Sequence, residues 1–351
     1  MSLHIQENTN NKVNTSEEMF PPLIVKQLSP PILSLLSEYS HVFSRNKYDV
    51  GKIRIEPTRI NLTSDLPVSQ RVYRIYYIFT SATEEVEINK QIKNLLAAGL
   101  VKESNSCYSS TVTLAYKRDE MKKTRLCIDY RKLNAICKTD AEPLPLIDTL
   151  LDKLTNAKIF STLDLASGYW HIPLHEKDKE KLAFVTSEGL YEFQVLPFGF
   201  RNAPAIFNCT IRRILNKHKC STFACHYFDD IVIFANSLDE HYAHLEQIFK
   251  ICEEENIKLK FSKCVFAKNK IIFLSYEIKE GCITPDNHNI ESIKKLQPPK
   301  NVKQLQGFLG SVNVYNKFMD SYANIREPLN QLLKKDNNGI GLQNAKKLLN
   351  C

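Results

Sequence analysis

The sequence predicts an α+β fold: a mixed body of strands and helices followed by a small unit of helices alone. Three observations carry that expectation. At 351 residues, 43% of them hydrophobic, the chain is long enough for about two domains and apolar enough to bury a sizeable core. Between residues 83 and 284, β-branched and aromatic runs mix with stretches of helical periodicity. After Pro285 only the helical texture remains.

Along the chain, residues 1–47 read as a poorly structured leader with one short helical patch, I-L-S-L-L-S-E-Y. From Thr83 to Ala98 apolar residues recur at helical spacing (Val86, Ile88, Ile92, Leu95, Leu96), with Thr83 the expected N-cap and Gly99 the expected C-cap. T-V-T-L-A-Y-K and T-R-L-C-I-D-Y-R predict a β-hairpin with the charged tip R-D-E-M-K-K. Leu146–Leu154 predicts a short amphipathic helix and I-F-S-T-L-D-L a strand. K-L-A-F-V-T-S and L-Y-E-F-Q-V-L predict a strand pair about an S-E-G turn. Asn202–Asn216 predicts a helix, and A-C-H-Y-F-D-D-I-V-I-F predicts strand, Asp-Asp, strand. A long helix over Leu238–Asn256 follows, then strands in K-L-K-F-S-K-C-V-F and I-I-F-L-S-Y-E-I. Asn301–Met319 predicts a helix from the spacing of Val302, Leu305, Leu309, Val312, Tyr315 and Phe318.

Composition narrows the function classes. The net charge is +8, and the charges of residues 1–47 cancel, so the whole excess lies in residues 48–351. There it suits a polyanionic partner such as nucleic acid. Ten cysteines occur without a C-x-x-C pair or a Cys/His zinc spacing, and read as reduced core residues of an intracellular protein. The polar start predicts no secretory leader, and the lack of an apolar run near 18 residues predicts no membrane span.

The carboxylates are the sharpest local signal. Asp229 and Asp230 interrupt an apolar run, and Asp164 ends an apolar strand 65 residues earlier, room for a crossover helix between neighbouring strands. Adjacent strand ends would bring the three together, and such crowding is tolerated when a cation neutralises it. Hard oxygen ligands select Mg²⁺, which takes its remaining ligands from water and substrate phosphates. A pair of such ions, about 4 Å apart, activates a hydroxyl and stabilises a leaving pyrophosphate. The dipeptide alone is equally ordinary turn chemistry, since Asp accepts turn geometry without a metal.

Nine segments, taken in order, resemble one family. They are L-L-A-A-G-L-V-K, R-L-C-I-D-Y-R-K-L-N, P-L-P-L-I-D, F-S-T-L-D-L-A-S-G-Y-W-H-I, L-P-F-G-F-R-N-A-P-A-I-F, Y-F-D-D-I-V-I-F, L-K-F-S-K-C-V-F, F-L-S-Y-E-I and P-P-K-N-V-K-Q-L-Q-G-F-L-G. Over roughly residues 48–335 the chain is similar to the reverse transcriptase of retroviruses and long-terminal-repeat retrotransposons, the Metaviridae-like branch especially. The resemblance implies a right-hand polymerase, with fingers and palm over residues 48–284 and a helical thumb over residues 285–335. It implies a primer annealed to an RNA or DNA template and dNTPs as partners, and two Mg²⁺ ions, with Mn²⁺ a possible substitute, as cofactors.

Residue by residue, Asp164 matches the family's first catalytic aspartate, and Asp229 with Asp230 matches its Tyr-x-Asp-Asp pair, which also makes the three the metal ligands. Tyr169 matches the aromatic gate under the deoxyribose, and Leu165 lies in the same motif. Arg125, with Lys117 or Arg118, matches the basic grip on the triphosphate, and Phe198 with Gly199 the segment against the incoming nucleotide and template. Lys263 matches a lysine that protonates pyrophosphate. Tyr227 and Phe228 lie at the primer end, and Phe273, Leu274, Ser275 and Tyr276 match the primer-grip hairpin. Lys294, Lys295, Lys300 and Lys303 would face template–primer phosphates from the thumb.

Departures accompany the match. The fingers tip K-R-D-E-M-K-K-T-R lacks the family's glycine and tryptophan, S-S-T at Ser109–Thr111 replaces Ser-Ser-Pro, and F-L-S-Y replaces Phe-Leu-Gly-His. If that glycine position has positive φ, Ser275 carries strain. Phe228 stands where leucine is commoner. The 16 residues after Lys335 leave no room for an RNase H domain, so the expectation is a polymerase module of a Pol polyprotein in a cytoplasmic retroelement particle, or a truncated copy. Two rivals stay open: an inactive remnant that only binds nucleic acid, and a scaffold protein with no nucleic-acid contact.

Overall fold

The computed structural model describes residues 20, 28–70, 81–117, 120–143 and 145–333, without the side chains of 82, 117 and 120–123. The expected tail 336–351, most of the leader before residue 28, Arg118 and the Lys117 side chain lie outside the described residues. The chain divides into two compact units, residues 1–146 with 159–268, and residues 147–158 with 269–351.

In the first unit the strands are β1 (Val101–Glu103), β2 (Ser110–Lys117), β3 (Glu120–Ile128), β4 (Ile159–Asp164), β5 (Ala183–Val185) and β6 (Leu190–Phe193). They continue with β7 (Ala224–Tyr227), β8 (Asp230–Ala235) and β9 (Val265–Lys268). One sheet has the order β1-β6-β5-β2-β3, the other β7-β8-β4-β9. All pairs are antiparallel except β2 with β5, a parallel pairing across some seventy residues of chain that no local pattern announces. The helix Leu238–Glu254 packs on β8 and β4, and Ala203–Lys217 packs on β7.

Ahead of β1, two details differ from expectation. The helix Ala82–Ala97 starts at a Ser81/Glu84 capping box, two residues before Thr83. Residues 28–47 are no loose leader: Ile32, Leu36, Tyr39, Val42 and Phe43 are each under 5% exposed. Spacing of four and three on the helix Pro30–Glu38 puts Ile32, Leu36 and then Tyr39 on one face. The rings of Tyr39 and Phe43 pack on Phe249 at 5.8 and 5.6 Å. The following segment bridges Phe43 to Leu259, Thr58 to Leu174 and Leu62 to Cys137. Buried Asp178 holds it by accepting the Ile60 amide and the Arg59 and Lys181 side chains. Desolvation alone would raise that carboxyl, but these hydrogen bonds outweigh it and hold it below the ordinary carboxylate range.

The second unit begins with the helix Ile147–Leu154 and adds β10 (Lys270–Phe273), β11 (Tyr276–Lys279) and β12 (Cys282–Pro285), three antiparallel strands in that order. Helices Asn287–Lys294, Val302–Asn313 and Tyr322–Gln331 follow. The helix expected to reach Met319 stops at Asn313 and gives way to a 3-10 turn at Asn316–Phe318. β10–β12 lie in the same compact unit as these helices. The Tyr276 hydroxyl donates to the Val314 carbonyl at 3.1 Å, and its ring meets Tyr315 and Phe318 at 6.1 and 5.8 Å.

Candidate active site

Register builds the carboxylate cluster. β4 and β8 pair antiparallel with Asp164 opposite Asp230, and Asp230 also pairs with Tyr227 across the β7–β8 hairpin. Phe228 and Asp229 form the two-residue turn, tied down by the Leu165 amide donating to the Asp229 carbonyl at 2.9 Å. A hairpin turn of this length demands positive φ, and Phe228 supplies it at φ 51°. An aromatic residue in that region is strained, and strain of this kind concentrates at functional sites. The bland turn reading and the functional one therefore describe the same residues.

Electrostatics mark Asp229 within the cluster. Its Oδ1 is buried without a hydrogen-bond partner. Burial first, then Asp164 and Asp230, push its carboxyl up to about 6, against a smaller lowering by Lys263. Desolvation and Asp164 also raise Asp230. Asp164 itself is 7% exposed, and its Oδ2 accepts from the Lys263 ammonium at 2.6 Å. Lys263 is aimed there by local backbone: the Lys260 amide donates to the Asp164 carbonyl, and the 3-10 turn Phe261–Lys263 replaces the strand expected at this point.

Sequence reasoning missed Gly168. It opens the 3-10 turn Gly168–His171 directly after β4, and a Cβ there would lie 2.2 Å from Asp229 Oδ1 and 2.9 Å from the Phe207 ring. Only hydrogen leaves room for the carboxylate. Fully buried His171 fixes this turn, its Nδ1 bonding the Gly168 carbonyl at 3.1 Å while Nε2 accepts the Lys258 amide at 3.0 Å. Burial pushes that imidazole down to about 4, so it stays neutral and serves as a structural tie.

Beside the aspartates, the ring of Tyr169 packs on Phe198 and Phe207 at 5.0 and 5.5 Å. Its hydroxyl is pushed up by burial and then by the Asp229 charge. Phe198 is 43% exposed, and Gly199 has φ 88° with its α-carbon face against the Ile128 carbonyl. These residues form one neighbourhood with the carboxylates. Leu165 differs: its side chain is 1% exposed, so it meets the core and only its backbone faces the turn. Arg125 is exposed on β3 opposite Ala115.

Tyr227 and Phe228 pack edge to face at 4.6 Å. In the second unit, Leu274 and Ser275 form the β10–β11 turn at φ 51° and 70°, between buried Phe273 and Tyr276. Ser275 thus does take the left-handed region and carries the strain expected there. Lys294, Lys295, Lys300 and Lys303 are all exposed.

Among the described residues no three His, Cys, Asp or Glu side chains are gathered around a single ion position. The chemistry of the donor set nevertheless fits a divalent cation, since Asp229 offers a buried, unpartnered oxygen beside two further carboxylates. No helix among the described residues is long and apolar enough to cross a membrane.

The stretch of chain that carries these side chains also matches known proteins. Residues 115–278 match the family model "Reverse transcriptase (RNA-dependent DNA polymerase)". The chain is 37% identical over 283 residues to the retrovirus-related Pol polyprotein from transposon 297 of Drosophila melanogaster, covering 79% of this chain and 26% of that one. It is 37% identical over 249 residues to the transposon Tf2-3 polyprotein of Schizosaccharomyces pombe, covering 71% and 18%. The chain thus spans about a quarter or less of these relatives. In three dimensions it is similar to a foamy viral protease–reverse transcriptase in complex with double-stranded DNA, with TM-score 0.80, 22% identity, all of this chain and 62% of that one. A second such structure, in complex with an RNA/DNA hybrid, aligns with TM-score 0.74 and 23% identity over all of this chain and 47% of that one. The fold is that of this polymerase, and residues 115–278 belong to the reverse transcriptase family, with retrovirus-related Pol polyproteins as relatives of the chain.

Proposed function

We propose that the chain is an RNA-directed DNA polymerase, extending a primer on an RNA or DNA template with dNTPs as part of a retrotransposon Pol polyprotein. The observation that supports this most is the register that sets Asp164 opposite Asp230, with Asp229 in the adjoining turn, inside the matched residues. In this reading residues 48–284 are fingers and palm, and residues 285–335 the thumb.

Asp164, Asp229 and Asp230 would hold divalent metal, two Mg²⁺ ions or Mn²⁺ in their place. Such ions supply positive charge that lowers the pKa of a primer 3′-hydroxyl and offsets charge on a leaving pyrophosphate. The remaining work falls to side chains of the chain. Lys263 would give a proton to the departing pyrophosphate oxygen. Arg125, with Lys117 or Arg118, would grip the triphosphate through charge-assisted hydrogen bonds. The Phe273–Tyr276 turn would hold the primer end, and the lysines at 294, 295, 300 and 303 the duplex phosphates.

The purified chain should extend a DNA primer on an RNA template in Mg²⁺, and chelation should stop it. Salt-sensitive binding of primer–template with no extension in Mg²⁺ or Mn²⁺ would identify a nucleic-acid-binding remnant instead. Tyr169 gives a second check, since its ring would clash with a ribose 2′-hydroxyl. Tyr169→Ala should raise ribonucleotide incorporation by roughly 10- to 100-fold relative to dNTP. An unchanged preference, measured by single-nucleotide extension, would remove Tyr169 from that role.

A further inference from the structure

We infer that Asn134 is a positioning residue for the nucleotide pocket: it fixes the loop carrying Phe198 and Gly199, and so tunes dNTP affinity and sugar selectivity. The inference rests on the polymerase reading above. Two crossed carboxamides carry it. Asn134, in the short helix Arg131–Ile136, donates from Nδ2 to the Gly199 carbonyl at 3.0 Å and accepts the Arg201 amide on Oδ1 at 2.9 Å. Asn202, at the far end of the same loop, reaches back the other way. Its Nδ2 donates to the Lys138 carbonyl at 2.8 Å, and its Oδ1 accepts the Asp140 amide at 3.2 Å.

Asn202 makes the second link at the expense of a local one. It is the N-cap residue of the helix Ala203–Lys217, yet its side chain makes no cap hydrogen bond. Asn ranks high at that position because its oxygen takes an amide of the first turn. Here that oxygen serves the segment after Asn134 instead. The loop also rides close on the end of β3, just before the helix of Asn134, since a Cβ at Gly199 would come 3.3 Å from the Ile128 carbonyl oxygen. A backbone shift here moves Phe198, whose ring lies 5.0 Å from Tyr169 and 5.7 Å from Trp170. Asn134 is therefore linked to the sugar gate through one side chain and one ring contact.

Substitution chemistry separates positioning from mere structure. Asn134→Ala removes both hydrogen bonds. Asn134→Asp keeps the acceptor for the Arg201 amide but sets oxygen against oxygen at Gly199. Steady-state primer extension on both variants should show a dNTP KM raised about tenfold, kcat lowered less than about threefold, and lower discrimination against ribonucleotides. Template–primer Kd should stay within about twofold, because the Phe273–Tyr276 turn and the lysines at 294, 295, 300 and 303 that would hold the duplex are untouched. Trp170 is the only tryptophan of the chain, so its emission reports on the loop directly and should shift in both variants. If Asn134→Ala fails to fold, Asn134→Asp decides. Wild-type KM and discrimination in Asn134→Asp would overturn the inference. So would KM, kcat and template–primer Kd worsening together with thermal stability. A wild type that does not extend overturns the polymerase reading and this inference with it, whereas active wild type with unaltered variants overturns the inference alone.

Discussion

Asp229→Asn should abolish primer extension, by on the order of 10²–10³-fold or more, while making the metal-free protein more stable at neutral pH. Both effects come from one arrangement. The carboxylate is buried beside Asp164 and Asp230, with one oxygen unpartnered. Its folded-state pKa rises from 3.8 to about 6, so the native state binds this proton more tightly than the unfolded chain does. The stabilisation from that proton is fully present below the unfolded value and is lost as pH rises through about 6. Asparagine has no charge to ionise, so its advantage opens across this window and is complete above it. Partial solvent access holds the gain to about 1–2 kcal/mol. Thermal melts in chelator at about pH 5 and pH 8 check the sign, since the gap between variant and wild type must widen at the higher pH. A variant less stable than wild type at both would show that the charges are not in conflict.

Gly168→Ala should also abolish extension, but with the opposite effect on stability. The added methyl would stand 2.2 Å from Asp229 Oδ1, and Phe207, 0% exposed, cannot retreat on the other side. Relief requires moving the Asp229 carboxylate or the turn, at a cost of about 1–3 kcal/mol. Melting temperature and extension should fall together. A variant that extends like wild type would show that Asp229 can work from another position. Taken as a pair, the two substitutions separate chemistry from folding, because activity is lost in both while stability moves in opposite directions.

How much of this is legible in the sequence depends on the range of the interaction. The β7–turn–β8 hairpin is written locally, as two apolar runs about Phe228–Asp229. Asp164 is visible as the last residue of an apolar strand, but its pairing with Asp230 is a matter of register, which strand patterns alone leave open. The Ser81/Glu84 box was there to be read as Ser-x-x-Glu and signals the helix start better than Thr83 does. Gly168 and Asn134 are different in kind. The partners of Asn134 lie 65 and 67 residues away, and what Gly168 accommodates is 61 residues downstream, so neither has a local signature. Alternation predicted a continuous strand through Lys263, whereas backbone bonds to the end of β4 fold that stretch into the turn that aims the lysine at Asp164. Residues 28–47 were obscured by the polar composition around them, although the spacing of Ile32, Leu36 and Tyr39 already marked a buried face.

The most direct test of the carboxylate cluster as a polymerase centre is extension of a DNA primer on an RNA template by wild type, Asp164→Asn and Asp229→Asn, with primer–template affinity measured alongside. Extension by the wild type alone, with all three proteins binding primer–template equally, is the expected result. Equal extension by the wild type and either variant would contradict it.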